Sequence, residues 1–410
     1  MDSEIIIIAP TQIKKGLSVG NIYDLTIADF YAKARRLAGI KVFAPFLLNI
    51  NGEPLIKQIT FENKAPTKDN IKKYILLAIK QIKKDLKNHY LSFDYIVRDD
   101  KIKKNLVRLF KTTYKDSITV GQTNIIECSS CGNIYGSDPT ICSCKKCNRP
   151  LISQTKTSLF KKINRKTIER KMATIAFFPN CIRQKLKTFV FSLPETYDLI
   201  LEKNRAYTIE YNGFNLDPRF AAIMLPAILC SHKYTKRVWI HGDVIKKFDY
   251  YSLCYLNNND CPTKIVSHGL LLGPDGKKLK WQKDDGSQKE LFKGINNKIL
   301  RAYFLKHNIN QDKVIDPSKL QLQTRDLLKI YLKLKKILQT NKDKNNESIR
   351  QDLAVQINLF NNAVNNFKLS AAFESMQNYV NICWKIVKNN NLSLSEYNML
   401  FELKNIYFGE

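Results

Sequence analysis

Three short stretches carry residue types whose spacing suits chemistry. The first is CSSCGNIYGSDPTICSCKKC, which holds five of the ten cysteines within residues 128–147. Cys128-x2-Cys131, twelve further residues, then Cys144-x2-Cys147 presents four thiolates on two knuckles. Tetrahedral Zn2+ takes that donor set at about 2.3 Å. Cys142 is a spare and can replace Cys144 as the third ligand. No open coordination position is visible, so the expected zinc is structural. Such crowding indicates a metal cluster in a reducing compartment rather than a disulfide framework. The second stretch is GLSVGNIYDLTIADF, where Ser18, Gly20 and Asn21 fall between strand-like and helical runs. Backbone N–H groups at a helix N-terminus attract phosphate, glycine lets the ligand come close, and Ser18 and Asn21 add side-chain donors. The third is SHGLLLGPDGKKLKWQKDDG, residues 267–286. Asp275-Gly276 predicts a tight turn, and Lys277, Lys278 and Lys280 follow at once. Lysines so placed can neutralise charge that builds on a phosphate in a transition state. Alone, the second stretch is also an ordinary turn and the third an exposed basic hairpin.

The elements around these stretches predict an α/β fold. EIIIIAP has the composition of a fully buried parallel strand. A helix is expected from about Asn21 to Leu37, and IKVFAPFLLNI as a second buried strand. Strand, helix, strand is a βαβ unit, the opening of a doubly wound, Rossmann-like sheet. Residues 67–88 read as an amphipathic helix with Ile71, Ile75, Ala78, Ile79, Ile82 and Leu86 on one stripe and lysines on a solvated face. A Cys-rich insert spans about 120–155. Residues 154–187 carry ten basic residues against one acidic, with Phe160, Phe177 and Phe178 interleaved. KRVWIHGD and TKIVSHGLLL read as strands returning to the sheet. From Pro317 onward Leu327, Ile330, Leu334 and Ile337 keep helical spacing. Two further long helices follow the polar connector NKDKNNE, giving a helical bundle. The expected division is a first half of the catalytic domain over 1–115, a connective insertion with zinc knuckle over 116–190, a second half over 191–310, and an anticodon-binding-like bundle over 311–410.

A chain of 410 residues has room for two or three cored domains. Its 44% hydrophobic residues and 21 Phe fit a globular protein rather than a disordered one. No apolar run reaches membrane-spanning length. EIIIIAP lacks the basic leader and cleavage site of a signal peptide, so a cytoplasmic protein without a membrane partner is expected. There are 67 Lys plus Arg against 37 Asp plus Glu, a formal charge of +30. Such an excess attracts polyanions. Lys, Asn and Ile are abundant throughout, so the charge supports a nucleic-acid partner only together with a site.

Taken in order along the chain, these pieces resemble a class I aminoacyl-tRNA synthetase, nearest to the methionyl type, over roughly residues 4–390. SVGN lies where that family has its HIGH signature, and ADFYAKARRLAG follows at the family's spacing. LNINGEPL takes the place of DDAHGTPI. LSFDYIVRDD resembles the segment before the family's zinc insert, WIHGD its IGKD, HGLLLGPDGKKLKWQ its HG and KMSKS stretch, and ILRAYFL the start of its bundle. The resemblance implies an ATP-dependent ligase that converts a carboxylic (amino) acid to an acyl-adenylate and passes the acyl group to tRNA. It implies ATP with Mg2+ at Ser18, Gly20, Asn21, Gly242, Asp243 and Lys278, with catalytic contributions from Lys278, Lys280 and Asn21. The structural Zn2+ would lie on Cys128, Cys131, Cys144 and Cys147. The basic 154–187 segment and the bundle would face tRNA.

Departures from the family pattern are informative. Ser18 and Asn21 replace two histidines. Trp281 stands at the second lysine of the KMSKS loop, so Lys280 or Lys283 would have to substitute. Asn49 occupies the place of the carboxylate that holds the amino acid's ammonium, and a neutral amide forfeits most of that pairing. The expected activity is therefore a methionyl-type scaffold with altered substrate. The alternative is a catalytically degenerate paralogue that serves as a tRNA-binding or protein-interaction module.

Overall fold

The computed structural model describes residues 3–8, 10–50, 55–56, 59–60, 65–113, 118–130, 143–144, 148–162, 164–192, 196–198, 210–211, 214–215, 229, 234–242, 262–279, 292, 294–340, 342–343, 348–388 and 391–409. The opening isoleucines form β1 (Ser3–Ile8), with Ile5 to Ile8 all buried. A run of β-branched residues enclosed on both faces is what a central parallel strand needs. A two-residue strand β2 (Thr11–Gln12) precedes α1 (Val19–Leu37). The single strand expected over IKVFAPFLLNI is two strands, β3 (Lys41–Phe43) and β4 (Phe46–Asn49). Pro45 between them has no N–H to offer a ladder. Asp94 holds the break by accepting Ala44 N–H at 2.6 Å, and Tyr95 O accepts Phe46 N–H at 2.8 Å.

The helix α2 (Lys68–Asn88), capped by Thr67, buries Ile71, Tyr74, Ile75, Ala78, Ile82 and Leu86. β5 (Ile96–Arg98) and α3 (Lys103–Thr113) follow. β6 (Ile118–Cys128) and β7 (Leu151–Lys162) pair antiparallel along their whole length, from Ile118↔Lys161 to Cys128↔Leu151. Next come α4 (Arg165–Thr174), β8 (Ala176–Phe178), α5 (Cys181–Ser192) and β9 (Thr196–Asp198), the last pairing with β7. β10 (Glu210–Tyr211) and β11 (Phe214–Asn215) make a small hairpin. β12 (Lys236–Gly242), β13 (Lys264–His268) and β14 (Leu271–Leu272) return to the core.

The main sheet has the order β3-β1-β12-β13-β8, and every neighbouring pair is parallel. This is the α/β class expected from the sequence. β8 lies within residues 116–190, yet it forms an edge of this sheet, with Phe177 buried. From β1 the chain departs to β3 on one side and later returns to β12 on the other. That reversal opens a crevice at the carboxyl ends of the strands, where ligands of such sheets bind. β2, β4 and β5 form a separate three-stranded sheet.

The remaining elements are α6 (Asn297–Lys306), β15 (Lys313–Val314), α7 (Pro317–Ile337), α8 (Gln351–Asn365), α9 (Leu369–Ile386) and α10 (Leu394–Phe408). The sequence reading named three helices after Pro317, and α10 is a fourth. Its start is a capping box, Ser393 with Glu396. Buried charge ties this bundle to the sheet. Arg301 in α6 donates to Asp29 Oδ2 in α1 at 2.6 Å and to Ile406 O in α10 at 2.7 Å. Asp29 also accepts Ser92 N–H and Oγ–H at 2.8 and 2.9 Å. Arg35 in α1 grips Glu4 of β1 with two bonds, at 3.0 and 2.7 Å, and donates to Asn365 of α8.

Candidate nucleotide site at the carboxyl edge of the main sheet

Helix α1 begins at the crevice. Ser18 is its N-cap and Asn21 its third residue, joined in a reciprocal capping box. Asn21 N–H donates to Ser18 Oγ at 3.2 Å, and Asn21 Oδ1 accepts Ser18 Oγ–H at 2.7 Å and Ser18 N–H at 3.3 Å. Both oxygens are thus engaged in starting the helix. Among the described residues the Asn21 amide Nδ2 makes no hydrogen bond, so it is the side-chain donor that remains for a ligand. Among the described residues, a Cβ built on Gly20 would meet only Ser18 Oγ, at 3.9 Å. The backbone of the first turn is therefore open to close approach, and its N–H groups carry the positive end of the helix dipole. This geometry fits a phosphate group.

The loop into α1 is held from α2, by a residue that sequence reasoning missed. Asp85 Oδ2 accepts Leu17 N–H at 2.8 Å, and Asp85 Oδ1 accepts from Gln81 Nε2 at 2.7 Å. Gly16 has φ +121°, and a Cβ there would sit 2.7 Å from the same carboxylate. Glycine is needed at Gly16 for its backbone angle and for the carboxylate's room.

At the end of β12, Gly242 lies opposite His268, the last residue of β13. A Cβ on Gly242 would come within 2.8 Å of His268 Cε1. The ring cannot swing away: it is buried, its Nδ1 lies 2.9 Å from Gly269 O, and Tyr23 packs edge-on at 5.1 Å. Its Nε2 lies 3.2 Å from Asp24 Oδ1, at ion-pair distance but without hydrogen-bond alignment. Burial, then Asp24, then Asp312 raises the Tyr23 phenol above its ordinary range. His268, Asp24 and Tyr23 thus form a polar floor beside the α1 N-terminus. The only sequence signal for it was the His-Gly pair ahead of the lysine loop. Asp243 lies outside the described residues.

The lysine loop is a hairpin, as Asp275-Gly276 predicted. Gly273 N–H donates to Lys277 O at 2.8 Å, Leu279 N–H to Leu271 O at 2.9 Å, and Gly276 has φ +70°. Lys278 is exposed on the returning arm, bridged by its backbone to Leu272. Among the described residues no hydrogen bond or ion pair joins Lys278 to Ser18, Gly20 or Asn21. Lys280 and Trp281 lie outside them. The hairpin's stem is clamped to the chain entering the bundle: Lys313 N–H donates to Leu270 O and Ile315 N–H to Leu272 O, both at 2.8 Å. Lys313 itself is buried, its Nζ donating to Tyr303 O at 2.8 Å and stacked 3.4 Å over the Tyr303 ring. Burial, with Lys306 nearby, lowers its pKa to about 6.

The remaining expected residues lie on other elements. Asn49 ends β4 in the smaller sheet, buried, with its carbonyl accepting Ile13 N–H at 2.9 Å. Cys128 closes β6 and Cys144 lies in the turn beyond, both buried. That turn is tied by Asn148 N–H to Cys144 O at 2.8 Å and Cys144 N–H to Arg149 O at 2.9 Å, with Asn148 at φ +54°. Cys131, Cys142 and Cys147 lie outside the described residues. Among those described, no group of three or more His, Cys, Asp or Glu gathers as a metal site. No described helix is long and apolar enough to cross a membrane.

Sheet order, crevice and bundle define a class I aminoacyl-tRNA synthetase-like fold, and comparison with solved structures agrees. Mycobacterium tuberculosis methionyl-tRNA synthetase in complex with methionyl-adenylate superposes with a TM-score of 0.69 at 13% identity, covering 100% of this chain and 89% of that one. The apo form of the same enzyme gives 0.62 at 13% identity, over 100% of this chain and 87% of that one. A leucyl-tRNA synthetase of Agrobacterium radiobacter K84, in a ternary complex with tRNA and LeuAMS, gives 0.69 at 10% identity, over 99% and 83%. No family profile and no curated protein matches the sequence.

Proposed function

We propose that the chain is an ATP-dependent ligase of the class I aminoacyl-tRNA type, which activates a carboxylic acid as its adenylate and transfers the acyl group to tRNA. The observation that carries this reading is the α1 N-terminus opening at the sheet's switch point, with Gly20 leaving its first turn unobstructed. A phosphate there would meet backbone N–H groups and the Asn21 amide, and Lys278 and Lys280 would offset negative charge. Mg2+ would accompany ATP. Gly242 and Asp243 would take the adenosine side. Asn49 would meet the acyl substrate, and a neutral amide suits an acid whose amino group is absent, modified or held otherwise. The altered substrate is thus part of the proposal. Two buried thiols, Cys128 at the end of β6 and Cys144 opening a hydrogen-bonded turn, suit a structural Zn2+ on Cys128, Cys131, Cys144 and Cys147, checked by metal content after Cys128→Ser.

The capping box favours a second reading. With both Ser18 and Asn21 oxygens spent on the helix start, the site resembles one retained for shape, as in a degenerate paralogue that only binds tRNA. Calorimetry with ATP separates the two. Binding that Lys278→Ala and Asp243→Ala both weaken supports the ligase, and pyrophosphate exchange over a panel of carboxylic acids then finds the substrate. A folded protein that ignores millimolar ATP supports the binding module.

A further inference from the structure

The outward face of α2 is read from sequence as merely solvated, and its construction argues otherwise. Lys72, Lys73, Lys80, Lys83, Lys84 and Lys87 are all exposed. At helical spacing they fall on one face, opposite the buried stripe, and extend about 22 Å along the axis. From Lys72 onward that face carries no carboxylate. The one acid in this stretch, Asp85, points inward and is spent on Leu17 and Gln81. Among the described residues none of the six lysines has an ion-pair partner. The stripe also leads toward the candidate site. Its last turn carries Asp85, which holds the loop into α1, and Asn88 O accepts from Asn297 Nδ2 of α6 at 2.9 Å.

We infer that this face docks along the phosphate backbone of an RNA, as a contact surface additional to the 154–187 segment and the bundle. The inference rests on the reading that RNA is a partner, and deepens it. A row of like charges that repel one another in the free protein gains most from a polyanion, because binding releases condensed counterions. An anionic membrane is the poorer fit. An interfacial helix inserts its apolar face, and α2 has already buried that face in the core. Leu76 and Leu77, exposed among the lysines, are a lone pair rather than a stripe.

The test is binding of a fluorescein-labelled RNA hairpin to the full chain between about 50 and 200 mM salt. Two quadruple variants are compared with the parent. One removes Lys72, Lys80, Lys83 and Lys87 as Gln. The other removes the exposed Lys41, Lys101, Lys104 and Lys111 as Gln, which lie outside α2, the 154–187 segment and the bundle. Glutamine keeps helix propensity, and circular dichroism checks the fold. The expected result is that the α2 variant flattens the slope of log K against log salt by about 3 to 4, at about 0.9 per lost phosphate contact. The second variant should change it by less than about 1. Equal flattening by both would assign the effect to net charge and overturn the proposal. So would a steep parental slope that the α2 variant leaves intact, or loss of binding on Leu76→Ser with Leu77→Ser alone, which would make the contact apolar rather than a charge contact with phosphate. A parent with no salt-dependent binding would instead defeat the RNA reading itself, and this surface with it.

Discussion

The two ends of α1 use polar groups in opposite ways. At its N-terminus Ser18 and Asn21 bond to each other within one turn, at the rim of the crevice. Further along, Asp29 and Arg35 are buried and reach across the molecule to Arg301, Glu4 and Asn365. Local bonds leave the first turn able to exchange water for a ligand at small cost. The buried pairs cannot exchange with water, because an uncompensated charge in the interior costs several kcal/mol. Under the ligase reading the same helix is therefore a ligand cradle at one end, and it is a strut between sheet and bundle at the other.

The sharpest way to break this comparison is Arg301→Leu. It removes the partner of Asp29 Oδ2 from α6 and the donor to the Ile406 carbonyl together, leaving Lys33 and Ser92 beside Asp29, and the expected loss is about 3–5 kcal/mol in urea denaturation. The double variant Asp29→Asn with Arg301→Leu should recover part of it. Acidity gives an independent check. Burial alone would raise the Asp29 pKa, but Arg301 first, then Lys33 and the Ser92 bonds, outweigh it and hold it below its ordinary value. A depressed folded pKa gives stability that is present above about pH 4 and lost as pH falls through the folded value. The Arg301→Leu deficit should therefore shrink as the medium is acidified, because the parent loses the Asp29–Arg301 pairing that the variant already lacks, while both keep Lys33 and Ser92 beside Asp29. A deficit that stays constant to low pH would mean the pair contributes little.

At the crevice, Gly242→Ala should cost about 1–3 kcal/mol by pressing on His268. His268→Ala alone should relieve most of that cost in the double variant, since the overlap is with the ring. Failure of that rescue would place the constraint in the backbone instead. Asp85→Asn should cost about 1–2 kcal/mol, because a charge-assisted acceptor of Leu17 N–H becomes a neutral one. Under the ligase reading it should also weaken ATP binding in calorimetry, because Asp85 holds Leu17, the residue before the N-cap. An unchanged ATP affinity would show that the loop keeps its shape without it.

Much of this frame is legible in the sequence because it is local. A run of isoleucines specifies a buried strand, and helical spacing specifies α1, α2 and α7. Asp275-Gly276 specifies its hairpin. The split at Pro45 was present in the sequence but overlooked, because the apolar run on both sides masked a residue that cannot join a ladder. What was hidden depends on residues far apart in the chain. Asp85 lies 68 residues from Leu17, and Arg301 lies 272 from Asp29. No periodicity links such pairs, and each charged residue by itself looks like a surface residue. The sequence by itself assigns His268 no role of its own, since only the Gly242↔His268 register reveals what it packs against.

Ser18→Ala is the smallest expected effect and the most pointed. Losing an N-cap hydroxyl costs about 0.5–2 kcal/mol, whereas glycine at the same place costs only a few tenths. If Ser18 and Asn21 serve only to start the helix, Ser18→Ala and Ser18→Gly should differ in stability and agree in ATP affinity. If the capping box also orders the first turn for a phosphate, both should weaken ATP binding, and Asn21→Ala should weaken it further because the amide Nδ2 is lost as well. Equal ATP affinity in all three would confine the Ser18 and Asn21 side chains to a structural role. The cradle would then be the backbone over Gly20 alone, which Gly20→Ala would test by placing a methyl group in the open space.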